Sequence, residues 1–315
     1  MEFNETTSQV SYFIIVGFPG LQDWPSRTAL FSVFFVIYVV VLFENIVLMV
    51  IIKWDEKLHS PMYIFIFNLT LLDLTIPSVT IPKMLCYLMS DDNSIGFRTC
   101  IAQMTLFLIF NGAEGLILAA MAYDRYQAIC NPLNYHSVVT NNIAIRLSLC
   151  CWTAAIASVS PSVYFILIKQ FCGQNIIFYF FCNSASIAAL GCSTSKTFST
   201  ITLFLGLVPT LVILFSVVFS YTKILLAVLA FGNSENRWKA FSTCASHLIV
   251  LAIFFLILAF VSIFSRVPGI SADAVILAGV IQNIFPPLVN PIIYCLKTKE
   301  IRISIVRLMK TNIIH

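Results

Sequence analysis

The chain has 315 residues, of which 59% are hydrophobic and 10% charged, with a net charge of +4 and a mean hydropathy of +0.94. A soluble domain carries roughly 25% charged residues, so this composition excludes a water-soluble globular protein and points to an integral membrane one. The small, scattered positive excess also excludes nucleic acid as a partner.

Residues 1–27 open with acids, Glu2 and Glu5, and their apolar patch VSYFIIVGF is short and lacks a cleavage pattern. They are expected to be an extracellular tail rather than a signal peptide. Asn4-Glu5-Thr6 in this tail is a glycosylation sequon, with Asn4 as acceptor. The match at Asn68-Leu69-Thr70 falls inside a span and is not expected to be modified.

A helix needs about 20 apolar residues to cross a hydrocarbon core about 30 Å thick. Seven stretches qualify, near 28–52, 60–88, 100–123, 143–168, 198–230, 240–264 and 271–296. The fold class that follows is an all-α integral membrane protein. A seven-transmembrane helix bundle fills 28–296, and a short amphipathic cytoplasmic helix and tail fill 297–315. With the N-terminus outside, twelve Lys and Arg face the cytosol and six face out, as the positive-inside rule prefers.

Along these spans the polar residues are few. Glu44, Asp73 and Glu114 lie at membrane depth, where ionisable groups usually face the bundle interior and mark function. The third span ends in MAYDRYQAIC, setting Asp124, Arg125 and Tyr126 at the cytosolic boundary. Cys100 starts that span on the outer side, and Cys172, Cys182 and Cys192 occupy the loop of about 30 residues after the fourth. In an oxidising compartment four cysteines allow three pairings, which spacing alone leaves open. Their ten-residue separations do not suit compact zinc ligand pairs. His59, His136, His247 and His315 are scattered, and no catalytic constellation is visible, so an enzyme is not expected.

Several stretches in register resemble one family. MAYDRYQAIC is similar to the end of the third helix of vertebrate odorant receptors, within the rhodopsin-like G protein-coupled receptors. LHSPMYIFIFNLTLLDL (58–74), KAFSTCASHLIV (239–250) and NPIIYCLKTKEIR (290–302) resemble the family's second, sixth and seventh helices. GFPGLQDW (17–24), PKML (82–85) and FPPLVNPIIYCLKTKEIR (285–302) resemble the class I, or fish-like, subgroup. The chain departs from the family at Glu44, where Gly is usual, at Gln127, where Val is more frequent, and at Phe255, where Tyr is usual.

The resemblance implies an odorant receptor of the plasma membrane that binds a small odorant within the bundle and activates a heterotrimeric G protein of stimulatory or olfactory type, raising cyclic AMP. No cofactor is implied, apart from a sodium ion, or protons, held by Asp73, Glu114 and Asn45. Disulfides Cys100–Cys182 and Cys172–Cys192 are implied. Ligand contacts are expected from Phe107, Leu108, Asn111 and Gly112 on one face of the third helix and from Phe255, Ala259 and Ser262 on the sixth. Arg266 is the expected anchor for a carboxylate odorant, unless it snorkels to headgroups or pairs with Asp273. Phe107 stands where amine receptors place an Asp, so that position offers an amine no salt bridge. Asp124, Arg125, Tyr126, Tyr221, Lys239, His247, Asn290 and Tyr294 match positions that hold the inactive state or meet the G protein. Two rivals stand beside this reading: a receptor of the same family for a non-olfactory metabolite, and a cation-coupled transporter, which should show internal repeats.

Overall fold

The computed structural model describes residues 10–90, 92–171, 175–192, 196–230, 234–264, 267 and 269–313. Seven long helices form the bundle: α1 (Trp24–Trp54), α2 (Pro61–Met89), α3 (Phe97–Cys130), α5 (Asn141–Leu167), α7 (Lys196–Ala230), α8 (Ser234–Phe264) and α9 (Ala272–Lys297). Between them lie two short helices, α4 (Tyr135–Val138) and α6 (Ser184–Ala189), and α10 (Lys299–Ile313) follows. Among the described residues six helices are long and apolar enough to cross a membrane, and α8 adds the shorter apolar stretch His247–Val261. Phe43, Phe215 and Leu256 are each about 70% exposed, and a band of such side chains requires lipid, not water, around the bundle.

Helix ends follow local chemistry. Asp23 caps α1 by accepting from Ser26 N at 3.0 Å, and Pro25 sits in the first turn, where its missing N–H costs nothing. Pro61 opens α2 in the same way. Interior prolines free a carbonyl four residues earlier, and in lipid that oxygen needs another donor. Pro161 frees Ala157 O, which accepts from Ser160 Oγ at 2.9 Å. Pro291 frees Pro287 O, which accepts from Asn45 Nδ2 on α1 at 2.9 Å. The last carbonyls of α2 are met by Arg27, whose guanidinium donates to the oxygens of Tyr87, Leu88 and Ser90.

The end of the bundle that carries the N-terminal segment is not all-helical. The patch VSYFIIVGF contains strand β1 (Tyr12–Ile15), which pairs antiparallel with β2 (Ser94–Gly96) and parallel with β3 (Ile176–Ile177). This three-stranded sheet joins the N-terminal segment to two loops and buries Phe13 and Ile15 completely. Residues 10–23 of the expected tail are thus part of the fold. Asp273 at the start of α9 accepts from Gly20 N at 3.0 Å, holding the N-terminal segment over the bundle's end.

At the opposite end α10 is docked through Asp55. This carboxylate accepts from Ser304 Oγ at 2.5 Å, Arg307 at 3.0 Å and Lys57 N at 3.1 Å, while Ile301 is fully buried beneath the helix. The Ser304 bond, with help from the Lys57 amide and the Arg307 and Lys57 charges, holds its pKa below the ordinary carboxylate value. A depressed carboxylate contributes stability that is complete above its unfolded value and is lost as pH falls through the folded one. Amide exchange in α10, taken relative to the free-peptide rate at each pH, is therefore expected to stay slow down to about pH 4 and to accelerate below it. In Asp55→Asn it should be several-fold faster at neutral pH, and an unchanged rate would show that Ile301 packing alone docks the helix.

Candidate functional site

A cavity of about 210 Å3 lies in the middle of the bundle. Leu108, Asn111, Gly112 and Glu114 of α3 form one wall, with Ser158 and Ser162 of α5, Thr210 of α7, Phe254 and Phe255 of α8, and Gln282 and Asn283 of α9 around it. Gly115 lets α7 close in, since a Cβ there would come within 2.9 Å of Ile213. Four expected contact residues, Leu108, Asn111, Gly112 and Phe255, thus meet at one space. Phe107 lies above it, with its ring centroid 4.6 Å from that of Phe181. Ala259 is exposed and off the wall, because the lining stripe runs through Leu258 and the next residue is turned about 100° away. Arg266 and the side chain of Ser262 lie outside the described residues. Sequence reasoning missed Ser158, Ser162, Thr210, Gln282 and Asn283 as wall residues. The signal was present, since Ser158 and Ser162 share a face at a spacing of four in an otherwise apolar run.

The long loop is tied to the start of α3. Cys100 at the start of α3 is bonded to Cys182 in that loop, with Cα atoms 5.4 Å apart. Beside the bridge, Gln103 accepts from Cys182 N at 3.0 Å through its oxygen and donates to Val79 O at 2.8 Å. Phe180 and Phe181 are buried next to the bridge. Tyr179 presses on α9 at Gly279, where a Cβ would meet its hydroxyl at 1.9 Å. Cys192 is also disulfide-bonded, and its expected partner Cys172 lies outside the described residues. So does Asn4.

Below the cavity, Asp73 is buried and accepts from Asn290 Nδ2 at 3.2 and 3.1 Å. Asn45 spends its amide protons on Val41 O and Pro287 O, each at 2.9 Å. The side-chain oxygens of Asn45 and Asn290 are buried without a partner among the described residues. Carboxylate and amide carbonyl oxygens are the ligand type that hard cations take. Among the described residues no three of His, Cys, Asp and Glu gather closely enough to hold a metal ion. Glu44 is only partly buried, with Oε1 unpartnered.

Near the C-terminal end of α3, Arg125 folds back on its neighbour Asp124, donating through Nε at 3.0 Å and also through an Nη. Tyr135 of α4 donates its hydroxyl to the other Asp124 oxygen at 2.8 Å. Asp124 is 1% and Arg125 8% exposed, so the pair is sealed from solvent. Tyr221 of α7 is 2.7 Å from His247 Nδ1 of α8, which ties those helices together. Tyr126 packs beside Ile224, Val228 and Cys244, and Tyr294 is buried on α9. The side chain of Lys239 lies outside the described residues. Gln127 donates to Tyr123 Oη and accepts from Asn131 Nδ2, both at 2.9 Å, which staples the last turns of α3.

A cavity under a disulfide-held loop, over a sealed Asp-Arg pair, is the layout that the sequence motifs implied. The family model described as olfactory receptor matches residues 34–312. The chain belongs to the olfactory receptor family. It is 37% identical to human olfactory receptor 6B1 over 305 residues, 96% of each chain. Mouse olfactory receptor 6B9 is 38% identical over 301 residues, covering 96% of this chain and 94% of the relative. Human olfactory receptor 10A3 is 34% identical over 314 residues, 98% of each. Olfactory receptors are multi-pass membrane receptors and not enzymes, which agrees with the long apolar helices found here.

Proposed function

We propose that this olfactory receptor sits in the plasma membrane with its N-terminus outside, binds a small odorant in the central cavity, and activates a stimulatory-type G protein to raise cyclic AMP. The observation that carries this reading is the cavity itself. It lies between the helices, is largely apolar, and is fitted with a few convergent polar groups, as small-ligand sites are. It also touches α3 and α8, the two helices whose cytosolic ends carry the latches. An odorant shifts the receptor only through a higher affinity for the open form. Opening frees Arg125 from Asp124 and parts Tyr221 from His247. A sodium ion at Asp73, with the Asn45 and Asn290 carbonyls, would hold the helices in the closed arrangement. The class I assignment rests on GFPGLQDW, PKML and FPPLVN alone.

A cyclic AMP screen of odorants in cells with the receptor verified at the surface tests the reading, and silence toward every class of compound would count against it. The latch gives a sharper check. Asp124→Asn weakens three charge-assisted bonds, to Arg125 Nε, an Arg125 Nη and the Tyr135 hydroxyl, worth about 1.5–3 kcal/mol each. Ligand-free cyclic AMP is expected to rise about tenfold, since about 1.4 kcal/mol is a factor of ten in a population ratio. Tyr135→Phe should give a smaller rise, and a fall in both variants would mean that the pair does not restrain the receptor.

A further inference from the structure

α5 packs chiefly against α2, α3 and α7, and α9 against α1, α2 and α8, yet both helices contribute side chains to the cavity lining. The cavity therefore bridges the gap between them, and each of these two walls sets a donor beside an acceptor. On α5, Ser158 gives its hydroxyl proton to Ala155 O at 2.9 Å and keeps its lone pairs. Ser162, one turn further on the same face, makes no side-chain hydrogen bond among the described residues. On α9, Asn283 donates to Gly279 O at 2.8 Å and keeps its carbonyl oxygen. Gln282 beside it makes no side-chain hydrogen bond among the described residues. Asn111 of α3 and Thr210 of α7, which stand between the walls, already have partners. The rest of that stretch is apolar, with Ile213 of α7 and Phe254, Phe255 and Leu258 of α8. No Lys, Arg or His stands among the described lining residues, and Glu114, the acid there, lies within electrostatic reach of Asp73 and belongs with that group. An apolar cavity of about 150 Å3 takes up benzene. By that measure a cavity of about 210 Å3 suits a ligand of about eight non-hydrogen atoms.

We propose that the cavity selects neutral odorants of about eight non-hydrogen atoms that carry an oxygen function at each end. One end is held by Ser158 and Ser162 and the other by Gln282 and Asn283. A hydroxyl at the α5 end accepts from Ser162 and donates to Ser158. At the α9 end it accepts from the Gln282 amide and donates to the Asn283 oxygen. The carbons between lie along Phe254, Phe255 and Leu258. A ligand of the same size with a single oxygen covers either Ser162 or Gln282 with methylene groups, and a buried polar group left without a partner costs more than a made hydrogen bond returns. A carboxylate finds no cationic partner on these walls, and an ammonium gives up its water for neutral dipoles alone. The inference names a ligand class for the odorant-receptor reading above and rests on it.

The test compares compounds of equal size, 1,6-hexanediol, 1-heptanol, hexanoic acid and heptylamine, as cyclic AMP responses in cells expressing the full chain. The diol is expected to be the potent compound, with a half-maximal concentration at least about tenfold below that of heptanol, the factor that one net hydrogen bond supplies. Ser162→Ala and Gln282→Leu should each raise the value for the diol about tenfold or more. Each should move that for heptanol less than about threefold, because its one hydroxyl still has the opposite wall. Surface labelling and the retained heptanol response establish that the variants are folded. Heptanol as potent as the diol, or equal losses of both in the two variants, would overturn the proposal and assign Ser162 and Gln282 to the shape of the bundle. A best response to the acid or the amine would overturn it too, while leaving the odorant-receptor reading intact. Silence toward all four compounds and toward a wider odorant screen would overturn both.

Discussion

Asn290→Ala is expected to abolish surface expression of the receptor, or to reduce it to less than about a tenth. The Asn290 amide supplies both hydrogen bonds recorded for the buried Asp73 carboxylate, at 3.2 and 3.1 Å. Removing it strands that group in the bundle core, and breaking a buried charged contact from one side costs about 3–5 kcal/mol. Such a loss is a large share of the 5–15 kcal/mol that folded proteins typically have. Adding Asp73→Asn to the same chain should restore much of the expression, because a buried carboxamide costs far less than an uncompensated anion. Asp73→Asn alone should be milder than Asn290→Ala, since Asn290 keeps an acceptor. Surface labelling and thermal unfolding of detergent-solubilised protein measure all three. If Asn290→Ala unfolds at the wild-type temperature, Asp73 must be held by something other than Asn290.

The spans were legible because bilayer thickness sets a minimum apolar length, and the seven runs in the sequence exceed it. The Asp124–Arg125 pair was legible as a motif, and its restraint by Tyr135 was not, because Tyr135 reaches Asp124 only through the turn that follows α3. Helical spacing showed that Phe107, Leu108, Asn111 and Gly112 share a face, but not how far each helix is rotated about its axis. That rotation puts Asn111 on the wall, lifts Phe107 to the loop and leaves Ala259 outside. The sheet was hidden for a different reason. β1 is four residues long, and its partners Ser94–Gly96 and Ile176–Ile177 are remote in sequence, so no local period announces it. Asp55 likewise shows nothing in its own neighbourhood of Ser304 and Arg307, which α10 returns to it from the far end of the chain. The prolines were more informative than their use in the sequence reading suggests. Pro291 frees a specific carbonyl, and Asn45 on α1 is the amide that answers it.

Cys182→Ser is expected to eliminate odorant responses and most surface expression. The bridge joins residues 82 positions apart, and closing a loop of that length restricts the unfolded chain by about 4–5 kcal/mol on the chain-entropy estimate. Spans already inserted in the bilayer hold part of that restriction, so the realised cost lies nearer the lower part of the usual range of about 2–5 kcal/mol. The functional loss should exceed the stability loss. Phe181 reaches Phe107 and Phe180 reaches Gly279 from the residues next to Cys182, so a freed loop withdraws the roof of the cavity along with the bridge. The Gln103 contact to Cys182 N keeps one tether, which makes the loop loosened rather than detached. Cys100→Ser should match Cys182→Ser, and the double variant should be no worse than either, because one bond is lost in all three. Cys86→Ser, at an exposed thiol outside any bridge, is the control expected to behave as wild type. Additive losses in the double variant would mean that the two cysteines act separately, with Cys182 serving the loop by packing and not through Cys100.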